Sequence, residues 1–293
     1  MGCCMGGSRT SNDNGNDSKN DVTTTPDGTV IGQDGSRGGT EPYYSSPGGS
    51  SSPNSGWSGK YAASSSMHGT GANYSGKSTL SQSELDKIRK SGIGALSARN
   101  ESGGDPSMVH LDNNNTYAYG TYQINVGTGT MNNYLKYMSV NHPDIYSTLS
   151  SACSSDSLYT TSCQDSPSFQ SAWKTAAKSY SNFGDTQDDF ITDTTLSKQI
   201  SMLNGQGWDF NKMSLGQQQI IYSTAVQYGA SNTQITNALK GLDQKTATNQ
   251  QVINAISDYK LNDLPNHSGF TNSASHNAQV KRINSERNIT LAE

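Results

Sequence analysis

Before Leu80 the chain contains no leucine and no phenylalanine, and Ile31 is the only isoleucine there. A stretch so poor in large apolar side chains cannot bury enough surface to offset the entropy of ordering its backbone. Any core must therefore be built from residues 81–293, a length sufficient for one sizeable core. The same first stretch holds 16 of the 30 glycines. Its Gly/Ser/Asn/Thr/Asp composition reads as a disordered leader over 1–80, followed by one folded domain over 81–293.

The chain has 293 residues, 31% of them apolar and 15% charged, with a net charge of -4. There is no basic footprint, so nucleic acid is not an expected partner. No apolar run approaches the ~18 residues of a transmembrane helix. Met1–Gly7 carries no hydrophobic segment, so no signal peptide is expected. Gly2, Cys3 and Cys4 suggest dual acylation, but Gly6 stands where the acylation pattern wants Ser or Thr. Gly71–Ser78 fits GxxxxGK[ST], yet no strand pattern precedes it, so no nucleotide site is expected. His68, His110, His142, His267 and His276 show no metal-ligand spacing, and no metal or other cofactor is expected. Cys153 and Cys163 are ten apart, close enough for a small disulfide. The lack of a signal peptide favours two free thiols instead.

Local signals place the elements. Ser81-Gln-Ser-Glu84 is a capping box that opens a helix, carried on by Leu85, Ile88, Ile93 and Leu96. Gly92 and Gly94 weaken that helix or admit a close neighbour. It ends at Glu101-Ser102, ahead of Gly103-Gly104 and Pro106. Residues 117–124 alternate as a strand, with Tyr117, Tyr119, Thr121 and Gln123 on one face. Helices follow from Met131, from Ser166-Pro167, from the capping box Ser214–Gln217 and from Thr248–Gln251. The segment 219–228 is apolar nearly all round and reads as a buried central helix. The fold class is α+β, mostly α, with a small β-hairpin.

Glycosidic cleavage needs a carboxylic acid to protonate the leaving oxygen, and in inverting enzymes a second carboxylate to activate water. Glu101, between an apolar helix and a Tyr-rich strand, suits the acid. Asp112, in the loop before the strand, suits the second role, and Thr121 could help hold the water. Asp105, only four residues from Glu101, fits a turn cap better. Tyr117, Tyr119 and Gln123 suit sugar rings and N-acetyl groups. Taken alone, a Glu before Gly-Gly is commonly a solvated helix end, and Asp-Asn-Asn-Asn is commonly a turn.

Glu101-Ser102 with Gly120-Thr-Tyr-Gln-Ile124 resembles the Glu-Ser and Gly-x-x-Gln-Ile motifs of soluble lytic transglycosylases and goose-type lysozymes. The order Glu101, Asp112, Thr121 is similar to the Glu, Asp, Thr trio of phage lysozymes. With Thr130-Met131, Leu135, Phe169-x-x-x-Trp173 and Tyr222–Gly229, the run over roughly 95–290 resembles phage-associated and type VI secretion-associated peptidoglycan hydrolases. These are relatives of the lysozyme and chitosanase-like superfamily. The resemblance implies a lysozyme-like fold with Glu101 as general acid, and adds Tyr222 and Gln227 as substrate contacts. It implies peptidoglycan glycan strands as partner, and virion or secretion-apparatus proteins meeting the leader. It also implies delivery to the bacterial periplasm from a virion or as a secreted effector. The downstream Ala-Tyr-Asn motif of transglycosylases is missing, which favours attack by water. The alternatives are a non-catalytic wall-binding component, a transglycosylase and a chitosanase-like enzyme.

Overall fold

The computed structural model describes residues 23–24, 30–31, 74–112, 115–266 and 273–293. The chain divides into two compact units, 1–55 and 56–293. In the first, Thr23–Thr24 (β1) pairs antiparallel with Val30–Ile31 (β2). The rest of the predicted leader before Tyr74, including Cys3 and Cys4, lies outside the described residues.

In the second unit the described chain is packed from Tyr74, earlier than the predicted boundary at residue 81. The buried Asp193 carboxylate explains this. It accepts from the Thr79 backbone N–H (2.7 Å), the Thr79 hydroxyl (2.6 Å), the Leu80 N–H (3.2 Å) and the Tyr74 hydroxyl (3.3 Å). Gly76 belongs to the phosphate-loop-like match, but its role here is close packing: a Cβ on it would lie 2.3 Å from the Lys136 carbonyl oxygen.

The helices start where the caps predict. Ser81 caps α1 (Gln82–Lys90) in a full capping box with Glu84. Gly92, with φ +75°, then breaks the predicted single helix, and α2 (Ala95–Ser102) begins after Gly94. A Cβ on Gly94 would lie 2.6 Å from the Tyr122 hydroxyl, so this glycine admits a close neighbour. A three-stranded antiparallel sheet follows in the order β3 (Val109–Leu111), β4 (Tyr117–Tyr119), β5 (Ile124–Asn125).

Next come α3 (Thr130–Asn141), α4 (Pro143–Ser150), α5 (Thr161–Gln164), α6 (Pro167–Ser179) and α7 (Phe183–Ile191), which runs through a π-helical turn over Thr192–Leu196 into α8 (Ser197–Gly205). Ser214 and Gln217 form the predicted capping box of α9 (Leu215–Tyr228), in which twelve of fourteen residues are buried. This is the central helix. After α10 (Gln234–Ala238), the Thr248–Gln251 box opens α11 (Asn249–Asp263), and α12 (Ser273–Leu291) closes the described chain. The fold is mostly helical α+β, as expected. No helix among the described residues is long and apolar enough to cross a membrane.

Strands of two or three residues cannot hold themselves together in water. The helices hold them here. Tyr119 is fully buried against Phe169 and Trp173, with ring centroids 5.5 and 5.1 Å away. Its hydroxyl donates to the Gln164 carbonyl, and the Tyr117 N–H donates to Asp165 Oδ1 at 2.9 Å. The segment around α5 thus clamps β4.

That segment is itself tied back by a Cys153–Cys163 disulfide, which corrects the expectation of free thiols. Folding brings the two Cα atoms to 6.1 Å, within the span a disulfide bridges. Closing so short a loop stabilises by about 2–3 kcal/mol through the unfolded chain. We expect Cys163→Ser to lower the unfolding free energy by about that amount in urea titrations. The parent protein in excess dithiothreitol should behave like the variant.

Candidate active site

Glu101 lies in the last turn of α2, where two successive glycines in left-handed backbone conformation end the helix (Gly103 φ +71°, Gly104 φ +82°). Their N–H groups return to the carbonyls of Ala98 and Arg99. The next turn is closed by Asp105, whose Oδ1 accepts from the Ser107 N–H (2.8 Å) and hydroxyl (2.7 Å), the capping role expected of it. The Pro106 carbonyl then accepts from Trp173 Nε1 (2.9 Å) and Gln187 Nε2 (3.1 Å). Gln187 also takes the Thr121 N–H on its Oε1 at 2.7 Å. One side chain of α7 therefore pins both the entry to the hairpin and its exit. Gly120 is required at this junction, because a Cβ would fall 2.2 Å from Gln187 Oε1.

The Glu101 side chain is 1% exposed. Its Oε1 accepts from Arg282 Nη2 of α12 at 2.7 Å. Arg282 Nε meets Glu286 Oε1 at 2.9 Å, and Glu286 Oε2 meets Lys260 Nζ of α11 at 2.7 Å. Glu286 Oε1 accepts further from Asn100 Nδ2 (2.8 Å) and the Ser223 hydroxyl (2.7 Å). Burial works against the Glu286 charge, but Lys260 and Arg282 outweigh it and hold its carboxyl down at about 2. Two acids and two bases thus form a buried chain that ends on Glu101.

Asp112 is 5% exposed and accepts from Asn125 Nδ2 on Oδ2 at 2.8 Å. Thr121 is also buried, and its carbonyl accepts from the Ser102 hydroxyl at 2.9 Å. The end of α2 is thereby joined to the turn after β4, and Asp112 is joined to β5.

The predicted glycan-facing wall is placed differently. The alternation stops at Tyr119, because Gly120 (φ +71°) and Gln123 (φ +51°) enclose a turn closed by the Gln123 N–H to the Gly120 carbonyl. Thr121 and Gln123 therefore do not continue the face of Tyr117 and Tyr119. Gln123 is buried and donates to the Gly120 carbonyl at 3.1 Å. Tyr119 lies in the aromatic core. Tyr222 is buried beside Tyr122, and Gln227 is buried with its Nε2 on Gln279 Oε1 at 2.7 Å. Of the five predicted contacts, only Tyr117 keeps a partly open surface.

Sequence reasoning missed Arg282, Glu286, Lys260, Asn125 and Gln187. It also missed Asp188 on α7, which faces a cavity of about 140 Å³ with Gly92, Ala98, Tyr122 and Tyr222. Burial pushes the Asp188 carboxyl up to about 7; the Tyr122 hydroxyl bond opposes this, and the charges of Asp185 and Asp189 add to it. A carboxyl raised in the folded state stabilises the fold below its unfolded value of 3.8 and loses that contribution as pH rises to about 7. We expect Asp188→Asn to gain stability relative to the parent between those pH values and to keep a constant lead above, in melting curves against pH. Lys260→Met should cost about 3–5 kcal/mol, read by urea unfolding, because Glu286 is left buried with one cation fewer.

A model of the family described as type VI secretion system spike protein VgrG3-like, C-terminal, matches residues 93–287. The type VI secretion system spike protein VgrG3 of Vibrio cholerae serotype O1 is 29% identical over 173 residues. The match covers 58% of this chain and 16% of that relative's length. Two solved chitosanase structures, one of a complex and one of chitosanase OU01 with substrate, align with TM-scores of 0.48 at 16% and 15% identity. They cover 69% of this chain, and 91% and 90% of the chitosanase chains.

Proposed function

The chain belongs to the type VI secretion system spike protein VgrG3-like C-terminal family, and we propose that it hydrolyses the glycan strands of bacterial peptidoglycan. The observation that carries this reading is the placing of two buried carboxylates on one helix–hairpin unit. Glu101 closes α2, and Asp112 is held across the sheet by Asn125. Glu101 acts as general acid towards the glycosidic oxygen. Arg282 holds Oε1, fixing the plane of the carboxyl and leaving Oε2 to carry the proton that is transferred. The Arg282 charge is shared with Glu286, so it does not fall on Glu101 alone. Asp112 activates the attacking water, and Thr121 helps to place it. Tyr117 offers an aromatic face to the sugar.

The family supports delivery by a contractile secretion apparatus, with action in the envelope of a target cell. The Cys153–Cys163 bridge supports an oxidising destination. A second reading is a spike component that binds wall without cutting it. It is favoured by the ion pair and the 1% exposure of the Glu101 side chain.

The two readings part on a suspension of purified peptidoglycan. The parent protein should clear it, and Glu101→Gln should be slower by a factor on the order of 10² or more. Melting curves of both proteins separate lost chemistry from lost folding, since the variant also loses an ion pair. Equal clearing by a folded Glu101→Gln protein removes Glu101 as the acid. Retention on peptidoglycan without release of fragments selects the second reading. Mass spectra of the products distinguish reducing ends, made by water, from 1,6-anhydro ends, made by a transglycosylase. Parallel digestion of chitosan tests the chitosanase-like alternative.

A further inference from the structure

Asn125 ends β5 and is 8% exposed. Its Nδ2 donates to Asp112 Oδ2 at 2.8 Å, and its Oδ1 accepts from the Thr128 backbone N–H at 3.0 Å. A backbone N–H can only donate, and an ionised carboxylate can only accept. The two ends of the Asn125 amide are therefore not interchangeable, and the orientation that serves Thr128 turns the donor towards Asp112. The backbone of Asp112 is fixed as well. Its N–H donates to the Thr116 carbonyl at 2.8 Å, and its carbonyl accepts from the Asn115 N–H at 3.0 Å. The surroundings are tight: a Cβ on Gly127 would lie 2.7 Å from Thr116 Oγ1 and 3.3 Å from Asn125 Oδ1.

We propose that Asn125 is the positioning residue of Asp112, setting the plane of its carboxylate through the amide bond to Oδ2. The proposal rests on reading Asp112 as the second carboxylate of the cleavage reaction. A Thr128–Asn125–Asp112 relay ties the carboxylate to the backbone between β5 and α3. A carboxylate that activates water must present one oxygen along one line, and a misplacement of about 1 Å can cost on the order of 10²-fold. Alanine at 125 removes the amide bond that orients Oδ2 of Asp112. Aspartate at 125 keeps the shape but sets a second carboxylate against the first, so that the pair must share a proton.

The test is steady-state cleavage of soluble N-acetylglucosamine–N-acetylmuramic acid oligomers by the full chain over roughly pH 4 to 9. Parent, Asn125→Ala, Asn125→Asp and Asp112→Asn are compared, with a melting curve for each. Asn125→Ala should lower kcat on the order of tenfold or more with KM within about twofold. Asn125→Asp should move the acid limb of the kcat profile upward by about one pH unit or more, a shift a merely structural residue would not produce. If Asn125→Ala does not fold, the near-isosteric Asn125→Asp decides. A folded Asn125→Asp with the parent's profile overturns the proposal while an inactive Asp112→Asn leaves the role of Asp112 standing. An Asp112→Asn protein as active as the parent, or a parent that cleaves nothing, overturns the reading of Asp112 and the proposal with it.

Discussion

Arg282 holds two carboxylates that reach it from different parts of the chain. Glu101 arrives from α2, 181 positions earlier, and Glu286 from the next turn of α12 itself. Lys260 of α11, Asn100 of α2 and Ser223 of α9 complete the bonds to Glu286. Four helices therefore meet on charged and amide groups where an apolar seam would be usual. Such a network adds little net stability, because desolvating the charges costs about as much as their attraction returns. It can supply register instead. The buried positions of α12 are Gln279, Arg282, Ile283, Glu286 and Thr290, with a single large apolar residue among them. A helix with that inner face is placed by its polar partners. Gly216 allows the close fit, since a Cβ there would fall 2.0 Å from the Thr290 carbonyl oxygen.

The hairpin depends on a second set of contacts, aromatic in kind. Tyr119, Tyr134, Phe169, Trp173, Phe183 and Phe190 pack edge-on or tilted against one another at 4.8 to 5.6 Å. The polar ends of this cluster are all used. The Trp173 indole and the Gln187 amide both reach the Pro106 carbonyl, and the Tyr134 hydroxyl meets Thr186 at 2.7 Å. Short strands with little pairing of their own are thus held at entry, middle and exit by α6, α7 and the disulfide-closed segment around α5.

The features that local chemistry decides were readable in the sequence. The capping boxes at Ser81, Ser214 and Thr248 and the glycine stop after Ser102 depend on residues within a turn of one another, and each stands where it was expected. What tertiary partners decide was not readable. Tyr119 sits in an alternating, Tyr-rich strand that could face sugar or core equally well, and Phe169 and Trp173, some fifty residues on, settle it for the core. Arg282 and Glu286 look like an ordinary i,i+4 pair on a solvated helix. Only the arrival of Lys260 and Glu101 turns them into a buried network. Asn125 directly follows the Gly120-Thr-Tyr-Gln-Ile124 motif, yet its value lies in a contact to Asp112 that no spacing rule supplies. The cysteines show the same limit, since a sequence separation of ten allows a bridge without requiring one.

A difference of environment between the two carboxylates follows from these contacts. Glu101 ends a chain of four ionisable side chains and is held by a guanidinium carried on the last helix. Asp112 is held by a neutral amide that is itself fixed by a backbone N–H at the edge of the sheet. These surroundings are supplied by different parts of the molecule. The Asp112 relay is local, completed within residues 112–128. The Glu101 partner comes from α12, so the geometry of that carboxyl is complete only when the two ends of the domain have met. The helix–hairpin unit therefore completes the surroundings of Asp112 but not those of Glu101, which need α12 docked behind it.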